Sequence, residues 1–182
     1  ILNSMKLTLI CPNLLVGGAE RTTINLVNEL IQTGNEVDLL LVQNNKRNFN
    51  ICEKCNLIIF GKSRTRFAFF MLYKYLLRSK SIVLISTLRE TSLLCGLVFK
   101  LPFISQKLVI REASQFKKES FFKTFLIKFS YKSADLIIAN SNFTYNSIKR
   151  LNFLDDKINS VVIGNPVIDR EFEENILEDF ID

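Results

Sequence analysis

KLTLICPNLLVGGAERTTINLVNELIQTGNEVDLLLV, residues 6–42, decides the fold. Lys6–Cys11 is a short apolar run of the kind that forms a buried strand. Ala19–Thr33 has helical periodicity, with Val27, Leu30 and Ile31 on one face and Gly34 as a stop. Glu36–Val42 is almost continuous Leu and Val, as a strand requires when its sheet is covered on both faces. A strand, a helix and a second such strand in succession make a parallel crossover unit.

Working outward, the same alternation continues. Leu57–Phe60 reads as a strand, Arg64–Arg78 as a helix, Ile82–Ser86 as a strand and Thr91–Phe99 as a helix. Lys107–Arg111 is a strand, Phe121–Lys132 a helix, Leu136–Ala139 a strand, Asn142–Leu151 a helix and Ile158–Ile163 a last strand. The expected fold class is α/β: a Rossmann-like, doubly wound parallel sheet with helices on both faces. Such sheets bind ligands at the carboxyl ends of their strands, near the point where strand order reverses. Residues 1–168 read as this one domain, and 169–182 as an acidic linker or tail.

Composition removes several chemistries. The 182 residues contain no His, which excludes a Ser-His-Asp or Cys-His site and a His-ligated metal within this chain. Cys52-Glu53-Lys54-Cys55 is a lone C-x-x-C; a redox motif normally follows a strand, whereas this one precedes one, and a zinc site would need its other two ligands from Cys11 and Cys95 or from carboxylates, so the pair reads as incidental, with metal or redox the lesser alternative, and no metal is expected. The net charge is +6, but seven of the 18 acids lie in 169–182, which leaves the first 168 residues with 23 basic and 11 acidic side chains. A body of +12 attracts anionic partners, although an AT-rich gene also yields such a Lys excess. No apolar run approaches the roughly 18 residues of a membrane span. The start, Ile1-Leu2-Asn3-Ser4, lacks the marks of a signal peptide, so the expected location is cytoplasmic.

The loops after the strands carry the candidate site. After the first strand, Gly17-Gly18 opens a helix; backbone N–H groups there can approach an anion, or the pair is a plain turn. The loop is not G-x-G-x-x-G, and Gln43-Asn44 stands where a ribose-binding acid would be, which argues against a dinucleotide cofactor. Ser86-Thr87-Leu88-Arg89-Glu90 and Arg111-Glu112 each set an Arg-Glu pair at the ligand edge, able to grip phosphate or sugar hydroxyls or to form plain surface ion pairs. Ser141 suits the N-cap of the helix that follows.

Four blocks together resemble the N-terminal domain of the family-four retaining glycosyltransferases of GT-B fold. They are Gly17-Gly18-Ala19-Glu20-Arg21 with its helix, the Ile82–Thr87 strand, Ser133–Ser141, and Ile158–Val167 with its Asn165-Pro166. The resemblance implies transfer of a sugar from a nucleotide-diphosphate donor to a glycan or lipid-linked acceptor, with retained configuration and without a metal or cofactor. It places Gly17, Gly18 and Glu20 on the donor side, and Thr87, Arg89 and Glu90 on the acceptor side. Arg111 and Glu112 fall where many members carry catalytic-cleft residues, His among them. It also implies a donor domain after Asn165-Pro166, without which this chain would be inactive.

Two basic, aromatic stretches complete the sequence. Residues 62–80 hold six basic residues and no acid, and Phe67, Phe70 and Met71 extend the apolar stripe of Phe69, Leu72, Tyr73 and Leu76. In 116–132, Phe121, Phe125 and Phe129 recur among lysines. Both suit peripheral docking on an anionic membrane surface, or helices packed on the sheet with a solvated Lys face. Nucleic acid is not an expected partner, because no recognition motif for it is present. The alternative to an enzyme half is a non-catalytic α/β binding module for an anionic partner, a nucleic acid or a phosphorylated ligand.

Overall fold

The computed structural model describes residues 4–15, 17–45, 50–114, 121–150 and 158–165. Seven strands form one fully parallel sheet in the order β3-β2-β1-β4-β5-β6-β7. They are β1 (Lys6–Cys11), β2 (Glu36–Leu41), β3 (Asn56–Ile59), β4 (Val83–Thr87), β5 (Lys107–Glu112), β6 (Leu136–Ala139) and β7 (Asn159–Val162). The helices are α1 (Gly18–Gln32), α2 (Phe69–Arg78), α3 (Arg89–Val98), α4 (Phe121–Tyr131) and α5 (Asn142–Arg150). A 3-10 turn at Thr65–Ala68 leads into α2, so the single helix expected over 64–78 is two pieces.

Strand order reverses between β1 and β4. The chain leaves β1 toward β2 and leaves β4 toward β5, in opposite directions across the sheet. Right-handed crossovers then place the connecting helices on opposite faces. One face packs Leu9, Cys11, Leu39 and Leu41 under Ile24, Val27 and Ile31 of α1. The other packs Ile10, Leu40, Leu84, Leu108, Ile110 and Ile137 under residues of α2 to α5. Both faces carry helices as expected, but unequally: one against four among the described residues. Each fully buried Leu or Ile contributes about 1.5–3 kcal/mol relative to exposure.

Alternation along β5 assigns its polar end residues to different faces. Leu108, Ile110 and Glu112 point to the four-helix face, while Val109 and Arg111 point to the other. Ser141 caps α5 as expected, its Oγ accepting from the Thr144 backbone N–H at 3.1 Å. Pro166, Leu151, the lysines at 117 and 118, and the acidic 169–182 lie outside the described residues. Among the described residues, no helix is long and apolar enough to cross a membrane.

Candidate active site at the carboxyl edge

The loop after β1 is tied to the loop after β2. Leu14 N–H donates to the Asn45 carbonyl at 3.0 Å, and Asn13 Nδ2 to Gln43 Oε1 at 2.9 Å. These bonds fix the approach to α1. Gly17 is the N-cap in an extended conformation that any residue adopts, so its lack of a side chain serves space and not backbone freedom. A Cβ built on Gly17 would meet the carboxylate of Glu20, which folds back over the helix start. The helix N-terminus thus already holds an anion of its own, where the macrodipole favours one. Around Gly18 a Cβ would meet nothing within 4 Å, and the residue is exposed. Gly18 is therefore the open position of the pair, and Gly17 is the one filled from within. Burial, and secondarily the charge of Glu20, pushes the Cys11 thiol up to about 12.

Thr87, at the end of β4, is fully buried. Its Oγ1 donates to the Ile10 carbonyl at 3.2 Å and accepts from Thr23 Oγ1 at 3.3 Å. Thr87 therefore clamps β1, β4 and α1 together at the strand-order reversal, with its hydroxyl already committed. Leu88 follows at φ 70°, ψ 142°, a conformation that favours glycine. Three donors converge on its carbonyl: Ser92 N at 3.1 Å, Ser92 Oγ at 3.0 Å and Thr91 Oγ1 at 2.9 Å. That turn starts α3 at Arg89, two residues earlier than the sequence suggested. Arg89 and Glu90 are consequently first-turn residues and not loop residues. Glu90 is exposed and accepts a long bond from Thr65 Oγ1 at 3.4 Å.

Arg89 meets Glu112. Arg89 Nε lies 3.5 Å from Glu112 Oε2, and its Nη2 donates to the Ser114 carbonyl at 3.1 Å. Glu112 is fully buried. Its Oε2 accepts from the Tyr131 hydroxyl at 2.6 Å, and its Oε1 from the Ser114 N–H at 3.1 Å. Burial and the Glu112 charge hold the Tyr131 phenol well above its usual range, so it stays a donor. The carboxylate is thus an internal anchor joining β5, α3 and α4.

Arg111 is placed differently. It is 7% exposed, and its Nη2 donates to Asn165 Oδ1 at 2.5 Å. Burial lowers its pKa, and among the described residues no carboxylate lies within ion-pair distance. Its Cα pairs in register with that of Thr87. Arg111 is thus a desolvated guanidinium that meets no counter-charge among the described residues, at the edge where such sheets bind ligands.

The structure therefore joins Arg89 to Glu112 directly and puts Arg111 on the opposite face of the same strand. Sequence reasoning missed Tyr131, Ser114, Asn165 and the strained Leu88. Alternation along β5 was the available signal for Glu112, since it shares a face with Leu108 and Ile110. Among the described residues no group of three or more His, Cys, Asp or Glu is placed to hold a metal. Cys52 and Cys55 are free thiols beside the α1 core.

A seven-stranded parallel sheet with polar groups gathered where strand order reverses is a Rossmann-like domain. The chain belongs to Glycosyltransferase Family 4, whose profile matches residues 16–169. Among solved structures, a glycosyltransferase from Rickettsia africae is similar with TM-score 0.62 at 16% identity, over 98% of this chain and 50% of that one. Anabaena Alr3699/HepE, solved with UDP, is similar with TM-score 0.63 at 10% identity, over 97% and 50%. An alpha-glucosyltransferase solved with UDP and a 13-mer DNA gives TM-score 0.58 at 13% identity, over 91% and 43%. At these identities the likeness establishes the fold. The chain spans half or less of the length of these structures. No curated protein matches the chain in sequence.

Proposed function

We propose that the chain forms the acceptor-side wall of a retaining glycosyltransferase that moves a sugar from a nucleotide-diphosphate donor to a glycan or lipid-linked acceptor at an anionic membrane face. The observation that carries this is Arg111: a buried cation, unneutralised among the described residues, at the carboxyl edge that also exposes Gly18 at a helix N-terminus. Arg111 favours negative charge, and Gly18 leaves the helix start open to approach although Glu20 already sits there; together they suit a diphosphate or an anionic acceptor group. Family membership supports the reaction class, and solved structures of the same fold include UDP complexes. Arg89, held by Glu112 and Ser114, presents a fixed guanidinium for sugar hydroxyls or phosphate. No step needs a metal, because the charge that develops on the leaving diphosphate can be met by guanidinium and backbone N–H groups.

The membrane part rests on α4. Phe121, Phe122, Phe125 and Phe129 are 89%, 75%, 58% and 44% exposed, so the aromatic repeat faces solvent while Ile127, Ser130 and Tyr131 face the core. Lys100 stands over the Phe129 ring at 5.0 Å. On α2, Phe70 and Leu77 are exposed in the same way. A ridge of outward Phe flanked by Lys suits headgroups over acyl chains.

The test is sugar transfer from radiolabelled UDP-sugars and other nucleotide-sugars into vesicle-borne lipid phosphates, by this chain joined to a donor-binding half. Transfer that falls at least 100-fold in Arg111→Ala, with the fold intact by circular dichroism, supports the proposal. Full activity in Arg111→Ala would remove its central residue.

A further inference from the structure

A second concavity runs along the edge strand β3 toward the amino-terminal edge of the sheet, and none of Gly18, Thr87, Arg89, Arg111 or Glu112 lines it. It is an open cavity of about 580 Å³ between α2 and the edge strand β3. Lys6 opens β1, Asn56 opens β3 and Lys80 precedes β4, so all three belong to the edge where strands begin. Nothing in the carboxyl-edge site reaches it.

The floor is already neutral. Asp38 is the only carboxylate among the described lining residues, and Lys6 Nζ lies 3.3 Å from its Oδ2. The Tyr75 hydroxyl donates to the same oxygen at 2.5 Å, and Asn56 Nδ2 to Oδ1 at 2.9 Å. Thr8 and Ser79 engage the Tyr75 hydroxyl, at 2.8 and 3.3 Å, so this ring is fixed in place. The rim is not neutral. Lys74, Arg78 and Lys80 line the cavity, and none of these three side chains has a hydrogen-bond or ion-pair partner among the described residues. The remaining wall is apolar: Ile58, Phe60 and Met71.

Three uncompensated cations around an apolar wall select an anion that carries an apolar stem. An inorganic ion would leave Ile58, Phe60 and Met71 unused, and a neutral lipid would leave the cations unused. The volume falls within the roughly 300–1,000 Å³ of small-ligand sites. The same helix exposes Phe70 and Leu77 to solvent. We infer that this groove is a binding site for the phosphate headgroup of an anionic lipid, its first acyl carbons lying against Ile58, Phe60 and Met71. Delivery of that lipid from a bilayer rests on the proposed membrane docking, whereas the site itself does not.

Calorimetric titration of the 182-residue chain with dihexanoyl phosphatidic acid, kept below its micelle concentration, tests the site without a membrane. One saturable site is expected, with inorganic phosphate at least 10-fold weaker and dihexanoyl phosphatidylcholine at least 100-fold weaker. Lys74→Ala combined with Arg78→Ala should weaken phosphatidic acid at least 10-fold. Both side chains are exposed, so this variant should fold, and Lys80→Ala alone should give a smaller loss in the same direction. Phe122→Ser with Phe125→Ser should leave the soluble-lipid affinity unchanged even where vesicle binding is lost, which separates the site from the docking ridge. Absence of saturable binding, equal affinity for inorganic phosphate, or indifference to the Lys74 and Arg78 changes would each overturn the inference.

Discussion

Tyr131→Phe removes one oxygen from the most enclosed polar cluster among the described residues. The ring stays, so no cavity opens; the main lost contact is the 2.6 Å bond from the Tyr131 hydroxyl to Glu112, and the hydroxyl's hydrogen bond with Ser92 goes with it. Both residues are fully buried. A hydrogen bond to a charged group contributes about 1.5–3 kcal/mol, and full burial keeps solvent from replacing the donor. Glu112 keeps the Ser114 N–H at 3.1 Å and Arg89 Nε at 3.5 Å, so the carboxylate is weakened and not orphaned. The expected loss is therefore about 2 kcal/mol, the middle of that range. Glu112→Ala goes further: it strips Arg89 of its carboxylate and takes the acceptor from the phenol, for an expected loss of about 3–5 kcal/mol. Urea unfolding of the chain followed by far-ultraviolet circular dichroism measures both. With a slope of about 2 kcal/mol per molar urea, Tyr131→Phe should lower the midpoint by about 1 M at unchanged slope. A shift below about 0.2 M would mean that Tyr131 does not hold Glu112, and the account of how Arg89 is positioned would fall with it.

Other consequences are separately measurable. A Cβ on Gly96 would run into the Ser130 backbone, including its carbonyl carbon at 2.6 Å, so Gly96→Ala should cost about 1–2 kcal/mol after its helix-propensity gain, whereas Gly18→Ala, in open space, should cost nothing detectable in the same urea assay. Phe122→Ser with Phe125→Ser should reduce sedimentation with anionic vesicles at least 10-fold at unchanged urea midpoint; unchanged sedimentation would show that the exposed ridge is not the docking surface. Burial raises the Cys95 thiol and takes Cys11 to about 12, so at pH 8 neither should react with Ellman's reagent before unfolding, while Cys55, pushed up to about 11, reacts slowly and four immediate equivalents would contradict the packing of β1 and α3.

The sheet was legible because its strands announce themselves. Lys6–Cys11 and Leu136–Ala139 are bounded by the structure as their apolar runs suggested, and the unbroken Leu run of β2 foretold a strand enclosed on both sides. The Ser141 cap was legible for a local reason, since a hydroxyl just before a helix has few other uses. The turn at Leu88 was not legible. Its positive φ is held by three donors to one carbonyl, and nothing in a leucine signals that. The requirement for glycine at position 96 was not legible either, because the Ser130 backbone that imposes it comes from α4, far along the chain. The exposed Phe ridge of α4 inverts the usual expectation that the aromatic face of a helix lies inward. Helix pitch left two stripes available, and Ile127, Ser130 and Tyr131 took the core, with the Ser130 backbone lying against Gly96 of α3.

The two arginines of the carboxyl edge have opposite electrostatic standing, and that difference orders the site. Arg89 already faces a buried carboxylate, so an incoming anion gains little from it beyond directed hydrogen bonds; an uncharged sugar hydroxyl suits it as well. Arg111 is desolvated and met among the described residues by an amide oxygen, so an anion there relieves a cost that folding has already imposed. Strand alternation enforces the separation: successive residues of β5 place Arg111 on one face and the Arg89 partner Glu112 on the other. Glu112 is thereby kept from neutralising its own neighbour. The proposed function accordingly assigns the charged contact to Arg111 and the hydroxyl contact to Arg89, on opposite faces of one strand end.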